Sequence, residues 1–362
     1  MHTWTAPPSV RPAFLYDPMA DMTHPAHIPT TASLGEATAV RRGHWTTSPL
    51  GRSNVRVGLL ALGTAPLGGM FTHVDDAEAI AVVRRAVELG IDYIDTAPQY
   101  GHGTAERRVG RALAAHPAVS AVVSTKVGRL IIDRAGADTG IFVDAPASDA
   151  VFDFSAGGIE RSLRESLARL QLERVEIVYL HDPDDHADQA IAEAYPVLER
   201  LRAQGVVGAI GVGMNQTAIP LRFVRETDID VVLLAGRWTL LDRSGGELLH
   251  ECGQRGVSVV AGGVFNSGLL ANPAAGATFD YQPADSNLVD QARALAAVCA
   301  HHGVSLQAAA LQFPLRHRAV AAVLTGVRSV AELEANVAAF DLDLPDALWA
   351  DLDGALATER AS

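Results

Sequence analysis

Cysteine is nearly missing from this chain. Only Cys252 and Cys299 occur in 362 residues. Two distant thiols make no disulfide framework, so a packed core must hold the fold, and a reducing cytoplasmic setting is expected. Basic residues are short as well: 29 Lys and Arg stand against 42 Asp and Glu, a net charge of −13. A phosphate backbone needs a basic face, so nucleic acid is excluded as a main partner. No apolar run reaches the length of a membrane span. The N-terminus carries no Lys/Arg-flanked apolar core, so neither a membrane partner nor a secretory signal is expected. A glycine-rich phosphate turn is missing too. The first strand runs into "LGTAPLGG" (62–69), which is not G-x-G-x-x-G; this argues against the doubly wound open sheet that carries that turn.

What is present is apolar material, 48% of the chain, enough for one large core. It is unevenly spread. Residues 1–50 hold seven of the 18 prolines and show little hydrophobic periodicity. Such a segment buries too little apolar area to offset its chain entropy. The expectation is a poorly ordered extension over 1–50, removable with little loss of activity or stability. A folded domain over 51–345 and a C-terminal tail over 346–362 complete the division.

From residue 55 onward short apolar strands alternate with helical stretches. The strands are "VGLLALGT" (57–64), "DYID" (92–95), "AVVSTK" (121–126), "VEIVYLH" (175–181), "GAIGVG" (208–213), "DVVLLAG" (230–236), "VSVVAGG" (257–263) and "AVAAVLTG" (319–326). Between them, Ile80, Val83 and Val87 share one helical face after the acidic start "DDAEA". Ile159, Leu163, Leu167 and Leu170 form another, with Ser155 placed as N-cap. Further helices are expected near 104–115, 187–204, 217–226, 245–255, 286–302 and 329–339. This alternation fits a (β/α)₈ TIM barrel, for which about 250 residues is typical. Two connections exceed the usual length, 127–155 and 264–285. Both leave C-terminal strand ends, where barrels build their sites.

Three of those ends carry a polar residue, and a tyrosine follows closely on the first. Asp95 ends the second strand and Tyr100 lies just beyond it; Lys126 ends the third; His181 ends the fourth. A parallel barrel brings all four to one face. Taken singly each has a plain structural use: a loop cap, a snorkelling amine, a hydrogen-bonded imidazole, a packed ring. Together their chemistry is complementary. A free tyrosine, with a pKa of about 10, is a poor proton carrier near neutrality. An ammonium beside it favours the phenolate. Asp95 would hold Lys126 charged, and His181 would orient the reacting oxygen by a hydrogen bond or share in the proton relay. Such a site moves a proton on and off a carbonyl or alcohol oxygen, and it needs a hydride partner. A rival reading takes "LHDPDDH", with His181, Asp182, Asp184, Asp185 and His186, as a divalent-metal set in a hydrolase barrel. No second cluster accompanies it, acids before a helix suit the dipole, and no metal is expected.

The runs "GIDYIDTAPQYG", "STKVG", "VEIVYLHDPD" and "TGVRSVAELEAN", in this order and spacing, resemble the aldo-keto reductases over about residues 55–340. "APLGGMF", "STKVGRL", "DFSAGGIERSLRESLARL" and "GVFNSGLLA" are similar to its sugar-oxidising branch, the D-threo-aldose 1-dehydrogenases and L-fucose dehydrogenases, with pyridoxal 4-dehydrogenase a near relative. The resemblance implies a nicotinamide cofactor bound without a Rossmann domain, a small-molecule sugar or aldehyde substrate, and Asp95, Tyr100, Lys126 and His181 as catalytic tetrad. Some barrels of this family serve as cofactor-sensing channel subunits, but the intact tetrad argues for catalysis. For the cofactor it implies Asn336 at the adenine, and Gly326 with Arg328 in the phosphate turn. Thr64, Asn215, Gly262, Gly263 and Phe265 belong to the same expected set. Two departures stand out. Asn215 comes one place later than the family's Ser-Asn, and Gly262 stands where an aromatic often stacks on nicotinamide, leaving Phe265 or Trp238 as substitutes. Members that prefer NADP place a cation where Glu332 stands here. A carboxylate repels a 2′-phosphate and accepts bonds from a free ribose hydroxyl, so NAD is expected, with NADP possible.

Overall fold

The computed structural model describes residues 43–115, 121–274 and 276–359, with side chains followed as far as residue 356. Expectations for residues 1–42 lie outside the described residues. Eight parallel strands close a barrel: β1 (Leu60–Gly63), β2 (Tyr93–Asp95), β3 (Val122–Val127), β4 (Ile177–His181), β5 (Ala209–Met214), β6 (Val231–Ala235), β7 (Ser258–Gly262) and β8 (Val320–Gly326). Each pairs with its neighbours in chain order and β8 returns to β1. Helices α1 (Asp76–Glu88), α2 (Thr104–Ala114), α3 (Ala156–Leu170), α4 (187–203), α5 (Ala218–Glu226), α6 (Gly246–Arg255), α7 (Ser286–His301), α8 (Leu306–Gln312), α9 (Val330–Phe340) and α10 (Asp346–Glu359) surround it.

Period-two alternation divides the core. One buried cluster gathers Ala61, Tyr93, Tyr179, Leu233, Val260 and Leu324, the inward residues of the strands. The other holds the alternating residues, such as Ile94, Val123, Val178 and Leu180, with the apolar stripes of the helices. Helix starts follow their caps: Asp75, Ser155 and Ser329 accept from the backbone amides of Glu78, Gly158 and Glu332.

Three expectations need correction. The stretch 57–64 is not one strand. Arg56–Gly58 pairs antiparallel with Thr47–Pro49, and the barrel strand begins only at Leu60. Gly58 donates its amide to Asp92 Oδ1 (2.9 Å) and Leu59 to the Thr46 carbonyl (2.8 Å), so the chain turns there. The packed chain therefore reaches back into 43–50. Leu50 and Val57 are fully buried beside Ile177, Ala209 and Val231, the first residues of their strands, and plug the N-terminal mouth. His44 is bonded to the Leu89 carbonyl and to Asp341. The segment 346–362 is not a mere tail either. Within α10, Leu348 and Leu352 are buried against Val289, Ala292 and Leu295 of α7. The run 187–204 is helical, but Ala190–Ala194 takes a wider π turn. Pro196 follows in the next turn and has no amide to give the ladder.

Both long connections fold. In 127–155, Arg129–Asp133 pairs antiparallel with Ser148–Phe152. In 264–285, Thr278–Phe279 pairs with Gln282–Pro283 around Asp280 and Tyr281, whose φ values of 48° and 64° make a two-residue left-handed turn. The Tyr281 ring at its tip lies 6.0 Å from Phe71.

Because Leu50 seals the barrel, a chain beginning at residue 51 should be less stable than one beginning at residue 43. Losing the buried leucine and the His44 bonds costs about 2–4 kcal/mol. Denaturant unfolding of the two chains checks this, and equal midpoints would contradict the plug.

Candidate active site

Strand register assembles the site. Asp95 stands opposite Ser124, Lys126 opposite Tyr179, and His181 opposite Gly213. Asp95 is fully buried and Lys126 is 2% exposed. Neither charge is tolerable alone at such depth. Lys126 Nζ donates to Asp95 Oδ2 (2.6 Å), to the Thr96 carbonyl (3.0 Å) and to the Tyr100 hydroxyl (3.0 Å). All three ammonium protons are thereby committed. The Tyr100 oxygen accepts from Lys126, which leaves its own proton to point at a substrate.

The loop that presents Tyr100 is fixed by close backbone approach. Gly101 has φ 58°, and a Cβ there would lie 2.2 Å from the Gly68 carbonyl oxygen. A Cβ on Gly68 would lie 2.7 Å from the Tyr100 carbonyl carbon. The "APLGG" turn thus buttresses the tyrosine, and Thr64 Oγ1 donates to the Asp95 carbonyl (2.9 Å) from the same side.

His181 completes the set, its ring perpendicular to Tyr100 at 6.0 Å between centroids. Its Nδ1 is buried with no protein partner. Burial, with the positive charges of Arg129 and Lys126, pushes its pKa well below the ordinary histidine value, so the imidazole is neutral and suited to orienting an oxygen rather than storing a proton. Next in sequence, Asp182 has φ 44° and pairs with Arg129 (2.7 Å), whose guanidinium lies over Phe152.

The expected lowering of Tyr100 is outweighed. Burial pushes the phenol up, Lys126 pulls it down, Asp95 pushes it up again, and the outcome is about 12. Burial also opposes the Lys126 ammonium, but Asp95 and Tyr100 hold it above the ordinary lysine range. The pair is therefore an ammonium beside a neutral phenol.

Opposite the tetrad, strands β1, β5, β7 and β8 end at or near Gly63, Gly213, Gly262 and Gly326. A Cβ on Gly213 or Gly262 would meet only ordinary contacts, at 3.6 Å or more. The space left at Gly213 and Gly262 suits a flat ring approaching Tyr100, and Asn266 Oδ1, in the β7 exit, is buried without a partner. The residues present thus fit a nicotinamide nucleotide. The other expected contacts scatter. Gly263 and half-buried Phe265 lie at the β7 exit, and Trp238 packs on Phe313 at 5.5 Å. Asn215 is exposed, its carbonyl accepting from Arg237. Asn336 is buried, donating to Thr325 Oγ1 (2.9 Å) and accepting from Gln307 (2.6 Å). Glu332 takes bonds from both the Arg328 amide and guanidinium at 2.8 Å. In "LHDPDDH", Asp182 is taken by Arg129 and Asp184 by Gln216. Among the described residues no three His, Cys, Asp or Glu gather as a metal set, and no single helix is long and apolar enough to cross a membrane.

Barrel, tetrad and open rim together define an oxidoreductase working on C–OH groups. The model of the aldo/keto reductase family matches residues 59–357, and the chain belongs to that family. It uses a nicotinamide cofactor, NAD(P), on small-molecule substrates. It is 41% identical to a D-threo-aldose 1-dehydrogenase of a Pseudomonas species over 303 residues, covering 81% of this chain and 92% of that one. It is 38% identical to a pyridoxal 4-dehydrogenase of Microbacterium luteolum, covering 84% and 95%. Among solved structures it resembles the holo form of an aldo-keto reductase from Bacillus halodurans, with TM-score 0.67, 27% identity and 84% and 93% coverage.

Sequence reasoning passed over Ser124, Tyr93 and Tyr179, though each lies two residues before a tetrad member, where period two returns a side chain to the same face. It also passed over Arg129, which carried no signal until the hairpin placed it.

With Tyr100 as the base, the role proposed below, oxidation needs its phenolate. With the phenol at about 12, each pH unit below that value lowers the phenolate fraction about tenfold. Oxidative kcat/KM should therefore climb through the alkaline range, whereas reduction, which uses the protonated phenol, should not gain. A flat oxidative profile between about pH 7 and 10 would contradict this. Tyr100→Phe should lose roughly 10² to 10⁴ in kcat with cofactor affinity retained.

Proposed function

We propose that the protein oxidises an aldose, of L-fucose or D-threo type, at C1 to the lactone, with NAD preferred over NADP. The observation that carries the substrate is the Arg129–Asp182 pair beside His181. Sugar hydroxyls both donate and accept, and a guanidinium next to a carboxylate meets them in both senses. Both side chains are partly exposed, at 17% and 29%, so a ligand can reach them. The name of the 41% identical relative supports the same reading.

In that reaction the C1 hydroxyl lies against Tyr100 and His181. Tyr100, as phenolate, takes the hydroxyl proton. Lys126 steadies the phenolate through its bond to the oxygen, and neutral His181 fixes the direction of the C1–O bond. The bound nicotinamide supplies the acceptor for the hydride that leaves C1. The C1–H and O–H bonds are broken and the carbonyl of the lactone is made.

A second reading, oxidation of pyridoxal at its 4′ carbon, draws on the aromatic surroundings. Phe71 and Tyr281 pair at 6.0 Å, and Phe142 lies 6.4 Å from Tyr100. The 38% identical relative carries that name. The two readings separate on Asp182. Asp182→Ala should cut kcat/KM for aldoses by roughly 10- to 100-fold, since several polar contacts go with it, and leave a simple apolar aldehyde within about threefold. A wild-type preference for pyridoxal over every aldose would establish the second reading.

NAD preference rests on Glu332. Its carboxylate occupies both the Arg328 guanidinium and the Arg328 amide. It also sits in the first turn of α9, whose N-cap Ser329 accepts from the Glu332 amide. A 2′-phosphate must displace that carboxylate, whereas a free ribose hydroxyl can donate to it. Calorimetry should give tighter binding for NAD than for NADP. Glu332→Ala, which releases Arg328, should narrow the gap about tenfold. Equal affinity in the unmodified protein would refute this.

A further inference from the structure

Beneath the tetrad lies a layer that the reaction does not touch. Tyr93, Ser124 and Tyr179 point into the barrel two residues before Asp95, Lys126 and His181, and all three are completely buried. Their neighbours are aliphatic: Ala61, Ile177, Leu233, Val260 and Leu324. Burying three hydroxyls in such surroundings is costly unless each is bonded, and leucine or valine would fill the space without that demand.

The bonds are made, and they run one way. Ser124 Oγ lies 2.6 Å from Asp95 Oδ1, the Tyr93 hydroxyl 3.2 Å from Ser124 Oγ, and the Tyr179 hydroxyl 2.9 Å from that of Tyr93. A carboxylate only accepts, so Ser124 must donate to Asp95. Having spent its single proton, Ser124 accepts from Tyr93, and Tyr93 in turn from Tyr179. Every proton points at Asp95 Oδ1, while Oδ2 faces Lys126. Such aligned chains polarise one another.

We infer that Ser124, Tyr93 and Tyr179 are positioning residues, a relay of hydroxyls that draws the Asp95 charge toward the barrel interior and so sets the pH dependence of the reaction at Tyr100. With Oδ1 held by Ser124, the carboxylate plane is fixed and Oδ2 is aimed at the ammonium. Without that donor the charge on Asp95 is less screened. It pulls harder on Lys126 and repels a phenolate at Tyr100 more strongly. The other titratable groups facing Tyr100 are Lys126, His181 and, from the tip of the 278–283 hairpin, Tyr281; Arg129 and Asp182 flank His181. Of all these only Asp95 is bonded to the relay.

The test is the oxidative pH profile of kcat/KM in Ser124→Ala, Tyr93→Phe and Tyr179→Phe, each in the full chain with NAD. Ser124→Ala should displace the rising limb to higher pH by roughly half a unit to one unit, because a bond to a charged group is lost. Tyr93→Phe should displace it less and Tyr179→Phe least. Ser124→Thr keeps the hydroxyl and should restore the wild-type limb. The calorimetric Kd for NAD should stay within about twofold throughout, as none of the three lies on the cofactor side. Should Ser124→Ala fail to fold, the order Tyr93→Phe above Tyr179→Phe, with Ser124→Thr unshifted, carries the test. An unmoved limb in the folded variants, or equal displacement by Tyr93→Phe and Tyr179→Phe, would overturn the relay.

Discussion

Everything at the top of this barrel depends on one buried ion pair. Asp95 and Lys126 are held 2.6 Å apart with almost no exposure. An isolated charge at such depth would be neutralised, and removing either partner leaves the other stranded. The pair survives because each remaining bonding site is filled. The ammonium spends its other protons on the Thr96 carbonyl and the Tyr100 hydroxyl, and the carboxylate takes its second bond from Ser124. The consequence for chemistry is a lysine that cannot turn away from the tyrosine.

That constraint divides the rim. Strands β2, β3 and β4 carry acid, base and imidazole, while β1, β5, β7 and β8 finish at or next to glycine. In the function we propose, one half performs proton transfer and the other leaves room for a flat cofactor ring. Burial has a second effect on the tyrosine. The environment that strengthens the ion pair also disfavours a phenolate, and the nearby ammonium offsets this only in part. The balance favours a protonated Tyr100, which in the proposed role donates in reduction and needs alkali to accept in oxidation.

Much of this was legible in the residues. The barrel could be read from eight apolar runs of strand length, and the tetrad from polar residues that end or follow three of them. What escaped has physical causes. Period two would have pointed to Tyr93 and Ser124, yet an inward hydroxyl reads as ordinary packing until its partner is known. The size of the burial effect on Tyr100 depends on chains that fold over it from distant segments. Glu332 was read as a repulsive charge with Arg328 as a possible partner, and only the turn geometry shows its carboxylate taking the Arg328 amide as well as the guanidinium. The first fifty residues looked poor in core, but Leu50 is a single residue in the right place, which composition cannot reveal.

Tyr100 remains a neutral phenol bonded to a charged Lys126. Carbon-13 labelling of the tyrosine ζ position reports that protonation state directly, with Tyr100→Phe assigning the resonance. Burial pushes the Tyr100 phenol up to about 12, so its signal should stay at the neutral-phenol shift up to about pH 9. A phenolate signal already present near neutrality would contradict it, because the pull of Lys126 would then exceed the effect of burial.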